Sequence, residues 1–407
     1  MVRAKPDVDT ALRILRDNAP ELTTEMVPVF VASGRVVATP PLAQLPVPRF
    51  RASAMDGFAL ASDFTLRASA EDPVHMLVVE RYGAAGVAAE GLRAGEAARI
   101  ATGAPVPNGA DSVLIKEETV STMVGGGRRL SLTMPVPAGS NIRLQGEDVL
   151  AGAPLVARGK LLSPAGIGLM VAAGVSEVEV RRWPRVRLVC TGSELAADAA
   201  SLDHPARIPD SNGPMLMAAL REIGLPYHSC HHAADEADQL EKGLIDGDAD
   251  ILISTGGVSA GDYDLIPGTL EKLGATIHFN GVSMRPGKPI LFATLADNRP
   301  FLGLPGNPVA AAVGFRFFFG ALLREMLRVP IEAGIPIKTR IPRRPGTTLF
   351  LRGRAHHDDY GALGIELEGD QRSHILSSVV AADSWIRVDG NETRAPLLFS
   401  QLLSLKS

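Results

Sequence analysis

The feature that most constrains the fold is an alternation of strand-like and helix-like segments between about residues 185 and 329. Apolar runs of strand length alternate there with amphipathic stretches, in the order VRLVC, PMLMAALREIG, DEADQLEKGLI, ILIS, LIPGTLEKLG and PILFATL. This alternation is typical of a parallel sheet with helices on both faces. The sequence therefore predicts a parallel-sheet α/β domain over residues 181–330.

The segments before this domain predict helices and an extended connector. Four prolines crowd the passage TPPLAQLPVPRF, and proline excludes both a regular helix and a central strand. Helical patterns cover residues 8–15, 24–33 and 163–175. We therefore expect a helical N-terminal region that an extended link joins to the next module.

Two further regions predict short strands. Glycine (41 residues) and proline (30 residues) are abundant, and aromatic residues make up only 5% of the chain. This composition favours many short elements over long helices or a coiled coil. Strand-like runs between turn residues predict a small, mostly β module over residues 51–138 and a C-terminal β module over residues 331–407.

Charge and hydropathy argue against several classes of protein. The formal net charge is −4, so overall charge does not favour nucleic-acid binding. The apolar stretch over residues 308–323 is interrupted by Arg316 and is shorter than the roughly 20 residues of a membrane span. The N-terminal sequence has early acidic residues and lacks a signal-peptide core. We expect a soluble, cytoplasmic protein that binds neither nucleic acid nor a membrane.

The two cysteines, Cys190 and Cys230, do not form a disulfide framework. In the run YHSCHH, a strand would place His228, Cys230 and His232 on one face, but no second Cys/His pair is present to complete a zinc site. The sequence therefore favours a strand end that carries histidines over a metal site. It also predicts that Cys190 is a buried core residue.

Loops rich in glycine follow three of the predicted strands, with the sequences TGSEL, TGGVSAGDYD and LPGNP. Ligands of open α/β sheets bind beyond the carboxyl ends of the strands, and glycines such as Gly256 and Gly257 let the backbone approach a ligand. Free N–H groups and the hydroxyls of Thr255 and Ser259 suit an anion. The alternative is a set of plain, tight turns between strand and helix.

Charged residues accompany these loops. Carboxylates beside an anion site commonly hold Mg²⁺ against phosphate oxygens, whereas helix capping is the alternative role, above all for Asp210 and Asp235. The loop MRPGKP adds Arg285 and Lys288 as candidate ligand contacts. The candidate acids are Glu194, Asp210, Asp235, Asp262 and Asp264.

Motifs along nearly the whole chain resemble one family. They occur in the order PVPRFRASAMDGFAL, RIATGAPVPNGADSV, NIRLQGEDV, TGSEL, DSNGPML, STGGVSAGDYD, MRPGKPI, GLPGNPVAA and QRSHILSS. In this order they resemble the molybdopterin molybdenumtransferase family, of the bacterial MoeA type and similar to the gephyrin E domain. SAMDG, GGVSAGDYD, and PGKP followed by PGNP are each specific.

The resemblance implies an enzyme that takes adenylyl-molybdopterin and molybdate, with Mg²⁺ assistance, and yields molybdenum cofactor and AMP. It implies an elongated homodimer whose cleft lies between the α/β domain of one subunit and parts of the other. The first of four regions is discontinuous (residues 1–50 with 139–180), and the last is a barrel-like β domain. The α/β region would bind molybdopterin, and a transient contact with the molybdopterin adenylyltransferase is expected.

The resemblance also assigns roles to single residues. The implied catalytic residues are Asp56, Thr102, Asp148, Glu194, Asp235 and Asp264, of which Asp264 and Glu194 would hold Mg²⁺. The implied substrate-binding residues are Arg143, Thr255, Gly256, Gly257, Ser259, Arg285, Lys288, Pro305, Asn307, Pro308, Arg352 and Ser373. Their charge supports Arg143, Arg285, Lys288 and Arg352 as contacts to oxyanions and phosphates.

Three departures from the family pattern bear on activity. Gly281 stands where some relatives carry lysine, and Arg285 could compensate for the missing cation. Ala310 replaces the usual serine after PGNPV, which removes one possible oxyanion donor. Arg372 replaces a glycine beside Ser373 and adds bulk and charge.

Two other functions compete with molybdenum insertion. The related adenylyltransferase shares the α/β domain, but it resembles only residues 185–329, so the flanking motifs argue against it. A carrier that binds pterin without inserting molybdenum would account for Gly281 and Ala310. The presence of Asp56 favours the enzyme over the carrier.

Overall fold

The N-terminal segment contains a helix followed by a strand. This computed structural model describes residues 5–79, 91–196, 202, 204–226, 228–233, 236–245, 247–258, 265–337, 341, 343–357, 361–390 and 397–400. The first elements are α1 (Val8–Asp17) and β1 (Thr24–Pro28). Asp7 caps α1 by accepting a hydrogen bond from the Thr10 N–H at 2.7 Å.

The helix predicted over residues 24–33 is wrong. Residues 24–28 are extended because they pair with a distant strand, and only a 3₁₀ turn, Val29–Val31, follows them. Local spacing cannot reveal a partner more than 140 residues away, since that pairing depends on tertiary structure.

The next region is built from short strands, as predicted. They are β2 (Ala52–Ser53), β3 (Gly57–Leu60), β4 (Val74–Val79), β5 (Glu96–Ile100), β6 (Ser112–Ile115), β7 (Val120–Val124), β8 (Gly127–Leu132) and β9 (Ile142–Arg143). A mixed sheet has the order β6-β3-β5-β4-β8-β7, and β2 pairs separately with β9. Short 3₁₀ turns lie at Ser62–Thr65 and Lys116–Glu118.

The connection to the α/β region contains α2 (Pro164–Ala172) and β10 (Glu177–Arg181). Ser163 caps α2, which confirms the helix predicted there. β10 pairs antiparallel with β1, so residues before 30 and after 175 meet in one small unit.

The α/β region follows the predicted alternation. Its elements are β11 (Val186–Thr191), β12 (Leu195–Ala196), β13 (Ile208–Pro209), α3 (Asn212–Glu222), β14 (His228–Ala233), α4 (Ala237–Ile245), β15 (Ile251–Thr255), α5 (Leu265–Lys272), β16 (Thr276–Asn280), β17 (Met284–Arg285), β18 (Leu291–Thr294), β19 (Pro300–Leu304), α6 (Pro308–Val313) and α7 (Gly320–Met326). A π-helical segment, Gly314–Phe319, joins α6 to α7.

The main sheet of this region is mixed, with the order β14-β11-β15-β19-β18-β16. β14, β11, β15 and β19 are parallel, as predicted, whereas β18 is antiparallel to both of its neighbours, β19 and the edge strand β16. β18 runs in the opposite direction because the chain turns back from β16 through the loop MRPGKP without a crossover helix.

Helices cover both faces of this sheet. Leu188 and Ile253 point into a core shared with α3, α6 and α7. The alternate residues Val189 and Leu252 face α4 and α5 on the other side. The helix α1 packs on the first face against α7, so the N-terminal helix lies on the α/β sheet.

The C-terminal region is a further sheet. Its elements are β20 (Ile335–Pro336), β21 (Thr348–His357), β22 (Leu363–Leu367), α8 (Ser377–Ala381), β23 (Ser384–Val388) and β24 (Leu397–Ser400). The order is β17-β21-β23-β24-β20, with β22 also paired to β21. Within the described residues these pairings leave an open sheet, so the barrel-like form stays a prediction.

Candidate functional site

A cleft of about 920 Å³ lies where the α/β region meets the C-terminal sheet. It is lined by Arg285, Pro286, Gly287, Lys288, Pro289, Pro305, Asn307, Ala310, Gly369, Asp370, Gln371, Arg372, Ser373 and His374. Five residues predicted to bind substrate therefore meet here: Arg285, Lys288, Pro305, Asn307 and Ser373. Pro308 opens α6 directly behind Asn307, at the helix position predicted for it.

Two connections hold the walls of the cleft together. β17 leaves the α/β region and pairs in parallel with β21 of the C-terminal sheet, which fixes the loop that carries Arg285 and Lys288. On the opposite wall, the Val309 N–H donates a hydrogen bond of 3.2 Å to the Ser373 carbonyl. The cleft is thus formed by three loops that are anchored to regular elements.

The cleft presents unneutralised positive charge. Arg285 and Lys288 are exposed, and neither has an ion-pair partner among the described residues. Their loop is closely packed, since a Cβ at Gly287 would lie 2.5 Å from the side-chain atom Met284 Cε. Such a pair of cations suits a ligand that carries several negative oxygens.

Arg352 lies behind the cleft rather than on its surface, which corrects the prediction of a direct contact. Its side chain is fully buried, and one NH2 group donates to the Asp370 carbonyl at 2.9 Å. Gln371 holds the same strand by accepting a hydrogen bond from the Arg352 N–H at 3.0 Å. Burial lowers the pKa of Arg352. The Nε and NH1 groups have no partner within the described part of the chain.

Arg372 is paired within its own loop. Its guanidinium donates to both carboxylate oxygens of Asp370, and this pairing lowers the pKa of Asp370 to about 2. The added charge of Arg372 is therefore balanced by its neighbour. Sequence reasoning did not select Asp370, although an acid two residues before an unusual arginine was an available signal.

The loop after β15 is closely packed. Gly256 has a φ of +87°, and a Cβ there would lie 2.6 Å from the Thr191 carbonyl oxygen, so only glycine fits. Gly257 also has a positive φ, +63°. Thr255 is buried, with 1% of its surface exposed, so its predicted role as a hydroxyl donor to the ligand is not met in this conformation. Ser259, Asp262, Asp264 and Asp235 lie outside the described residues.

Glu194 is exposed just beyond the end of β11. Its carboxylate folds back over Gly192, where a Cβ would lie 2.7 Å from the nearer oxygen. Asp210 is the helix cap that the sequence allowed, since its Oδ1 accepts the N–H groups of Asn212 and Gly213 at 3.0 Å. Asn212 in turn donates to the Gly306 carbonyl at 2.8 Å, which links α3 to the PGNP loop.

Four of the predicted residues lie on the β module or on the segment that follows it. Asp56 Oδ1 accepts hydrogen bonds from the Thr102 N–H at 2.7 Å and from the Thr102 hydroxyl at 2.8 Å. These bonds, the backbone one above all, lower the pKa of Asp56. Arg143 lies opposite Ala52 in the β2–β9 pair, close to this loop in the chain. Asp148 is exposed on the connecting segment.

The two groups are not joined within one chain by any hydrogen bond of the described residues. Asp56 and Thr102 lie on the β module, whereas Lys288 and Ser373 lie at the cleft. Among the described residues, the predicted set is therefore divided between two regions of the chain.

A lysine from the N-terminus occupies the space above Gly281. A Cβ at Gly281 would lie 2.7 Å from Lys5 Nζ, and Ser283 binds the Lys5 carbonyl through its hydroxyl at 3.3 Å. Sequence reasoning looked to Arg285 for this cation and missed Lys5, because nothing in the local sequence relates positions so far apart. Ala310 lines the cleft and offers no side-chain donor.

Three family models match consecutive parts of the chain. They are the MoeA N-terminal region (domain I and II) over residues 6–174, a probable molybdopterin binding domain over residues 187–325, and the MoeA C-terminal region (domain IV) over residues 335–396. A molybdopterin molybdenumtransferase of Bacillus subtilis is 34% identical over 94% of this chain and 90% of its own length. The chain belongs to the molybdopterin molybdenumtransferase family.

Other relatives agree with this assignment. A molybdopterin molybdenumtransferase of Synechococcus elongatus is 33% identical over 89% of this chain and 90% of its own length. The crystal structure of a molybdopterin biosynthesis MoeA protein of Pyrococcus horikoshii superposes with a TM-score of 0.78 and 25% identity, covering 97% of this chain and 99% of that one. In the described part of this family member, no helix combines the length and apolar character of a membrane span.

Proposed function

We propose that this chain inserts molybdenum into molybdopterin in molybdenum cofactor biosynthesis, from adenylyl-molybdopterin and molybdate, with release of AMP. The observation that carries the proposal is the family match over 94% of the chain. The cationic cleft at the predicted residues supports it, because both substrates are anions. In this reaction water cleaves the phosphoanhydride bond, which releases AMP and leaves the phosphate on the molybdopterin. The two dithiolene sulfurs bind the metal, and one molybdate oxygen leaves as water with the two thiol protons.

The cleft residues have distinct tasks in this proposal. Arg285 and Lys288 hold the negative oxygens of the substrates, and the Ser373 hydroxyl donates a further hydrogen bond. Arg352 is a positioning residue that fixes the 370–373 loop through backbone carbonyls. Its unpartnered Nε and NH1 groups are the type of donor that an oxyanion satisfies if the loop moves.

Mg²⁺ fits the chemistry of the acidic residues beside the cleft. Glu194 offers an exposed carboxylate, which is a ligand that Mg²⁺ prefers, and Asp264 would be its partner. When bound, the ion would neutralise phosphate oxygens as the adenylate leaves. The Glu194 carboxylate lies over Gly192.

The remaining predicted residues share no hydrogen bond with the cleft among the described residues. We propose a homodimer in which Asp56, Thr102, Arg143 and Asp148 of one chain face the cleft of the other. The ionised carboxylate of Asp56 would then position the substrate or the group that attacks the substrate. The four-region division, a cytoplasmic location and a transient contact with the adenylyltransferase stay predictions of the sequence.

The test is single-turnover release of AMP from adenylyl-molybdopterin with and without molybdate and Mg²⁺. Lys288→Ala should lower the rate or affinity about 10- to 100-fold, the value of one charge-assisted hydrogen bond. Lys272→Ala is the matched control, because that lysine pairs with Glu241 on the far helices. Binding of the adenylate without AMP release under any condition would contradict insertion and favour the carrier.

A further inference from the structure

Four side chains with metal-binding atoms meet at one end of the α/β sheet. Cys190 is the penultimate residue of β11, Cys230 and His232 lie on the neighbouring strand β14, and Asp210 precedes α3. One ligand atom from each residue lies within 4.8 Å of the others. Cys190 and Cys230 meet because β11 and β14 are adjacent and parallel, with Cys190 opposite His232.

The distances fit a metal better than a disulfide. The two Sγ atoms are 3.7 Å apart. Two thiolates on one tetrahedral zinc ion, each about 2.3 Å from it, lie about 3.8 Å apart, whereas a disulfide needs about 2.05 Å. His232 Nε2 and Asp210 Oδ2 are 3.0 Å apart, and a zinc ion between them would replace this hydrogen bond.

Gly213 marks the centre of the group. A Cβ on Gly213 would lie 2.4 Å from Asp210 Oδ2, 3.1 Å from Cys190 Sγ and 3.3 Å from Cys230 Sγ. One point in the vacant space beside this glycine is therefore close to three of the four ligand atoms. Any larger residue at position 213 would fill that point.

The environment also suits a structural site. Cys190 is buried and the Asp210 side chain is only 2% exposed, whereas the His232 side chain is 39% exposed and can adjust. Two sulfurs, one imidazole and one carboxylate are a donor set that zinc accepts in tetrahedral geometry.

We propose that Cys190, Asp210, Cys230 and His232 bind one zinc ion. The ion would tie β11 and β14, which already pair in one sheet, to the start of α3. Without it, the Asp210 cap and the hydrogen bond between His232 and Asp210 make this link. Asn212, two residues beyond Asp210, donates to the Gly306 carbonyl, so the same ion steadies one wall of the cleft. The site was not predicted from the sequence, because Cys190 and Asp210 lie far along the chain from the run YHSCHH, which carries Cys230 and His232.

The experiment measures zinc on the full-length, reduced chain, in the absence of any molybdopterin. Competition with a chromophoric chelator and mass-spectrometric metal analysis should find one zinc per chain. Substitution with Co²⁺ should produce a thiolate-to-metal charge-transfer band. Because the readout is metal content, a failure here is distinct from a failure of molybdenum insertion.

Substitutions distinguish the proposed zinc ligands from a histidine that lies beside them. Cys230→Ser and His232→Ala should each lower zinc affinity more than about 100-fold, since even outer partners of ligands contribute 10- to 100-fold. His231→Ala is the matched control, because His231 contacts Gly243 of α4 on the opposite face, and it should retain zinc. His232→Ala removes a half-exposed side chain, so its fold is expected to persist, and circular dichroism checks this.

Four results would overturn the proposal. They are zinc well below one equivalent in the wild type, zinc affinity as high as that of the wild type in Cys230→Ser and His232→Ala, uptake of Cu(I) without zinc, and a Cys190–Cys230 disulfide that persists in the reductant.

Discussion

Thr102 stabilises the ionised form of the Asp56 carboxylate. Thr102 donates two hydrogen bonds to the same carboxylate oxygen of Asp56, and hydrogen bonds to a charged form favour that form. The pKa of Asp56 is therefore lowered. Any stability that this pair contributes is present above the unfolded pKa of Asp56 and is lost as pH falls through its folded value.

Thr102→Val should raise the pKa of Asp56, because the hydroxyl donor is lost and the loop loosens. Carboxyl-carbon NMR titration measures this directly, and AMP release should fall about 10-fold or more if the carboxylate acts in the reaction. Thr119→Val is the control, since the Thr119 hydroxyl donates only to the Lys116 carbonyl. An unchanged Asp56 titration in Thr102→Val would contradict the assignment.

Arg372→Gly should weaken molybdate binding, even though it restores the residue of the family. The substitution leaves Asp370 ionised and unpaired beside the cleft, and an ionised carboxylate there repels an anion, so the affinity for molybdate should fall by a few-fold. The pKa of Asp370 should rise from about 2 towards its ordinary value.

Adding Asp370→Asn to Arg372→Gly should restore the affinity. Arg354→Gly serves as the control, because Arg354 pairs with Glu368 and does not line the cleft. Tighter molybdate binding by Arg372→Gly alone would show that the arginine obstructs the cleft.

At the scale of elements, the sequence predicted those helices and strands that interactions within a single segment determine. α1, α2 and the α/β alternation were confirmed because their apolar spacing and caps lie within the segment itself. β1 was missed because its strand partner β10 is distant, and the antiparallel edge of the main sheet depends on a hairpin that spacing does not reveal. Residue burial was missed for the same reason, as Thr255 and Arg352 show.

The cap of α1 offers a test at this scale. Asp7→Ala should destabilise α1 by about 1 kcal/mol, seen as about fivefold faster amide hydrogen exchange within residues 11–16. Asp17→Ala should not, because an acid at the last residue of a helix opposes the dipole. The capping hydrogen bond lowers the pKa of Asp7. The destabilisation caused by Asp7→Ala should therefore disappear as pH falls through the pKa of Asp7 in the folded chain. Equal exchange in both variants would contradict the capping.

At the scale of the whole molecule, the two groups of predicted residues lie on different regions of the chain. The resemblance located nearly all of these residues, but no sequence pattern could show which of them one chain brings together. If the cleft is shared between subunits, each dimer has two composite sites. The arrangement can then be tested by mixing chains.

Mixed dimers of Asp56→Asn and Lys288→Ala chains should regain activity that neither variant has alone. Random exchange makes half of the dimers mixed, and each has one intact site, so about a quarter of wild-type AMP release is expected. Mixing Asp56→Asn with Thr102→Val chains is the control, because both changes affect the same half-site. No recovery in the first mixture, with exchange verified by mass, would place the whole site in one chain.

The contact between Lys5 and Gly281 has a consequence for the history of the family. Lys5 Nζ fills the volume that any side chain at position 281 would enter, and the Pro6 carbonyl is tied to the Ser283 N–H at 2.9 Å. A lysine at either position would bring one ammonium group to the same place. Aligned relatives should therefore show correlated replacement, with lysine at one of the two positions and a small or absent side chain at the other.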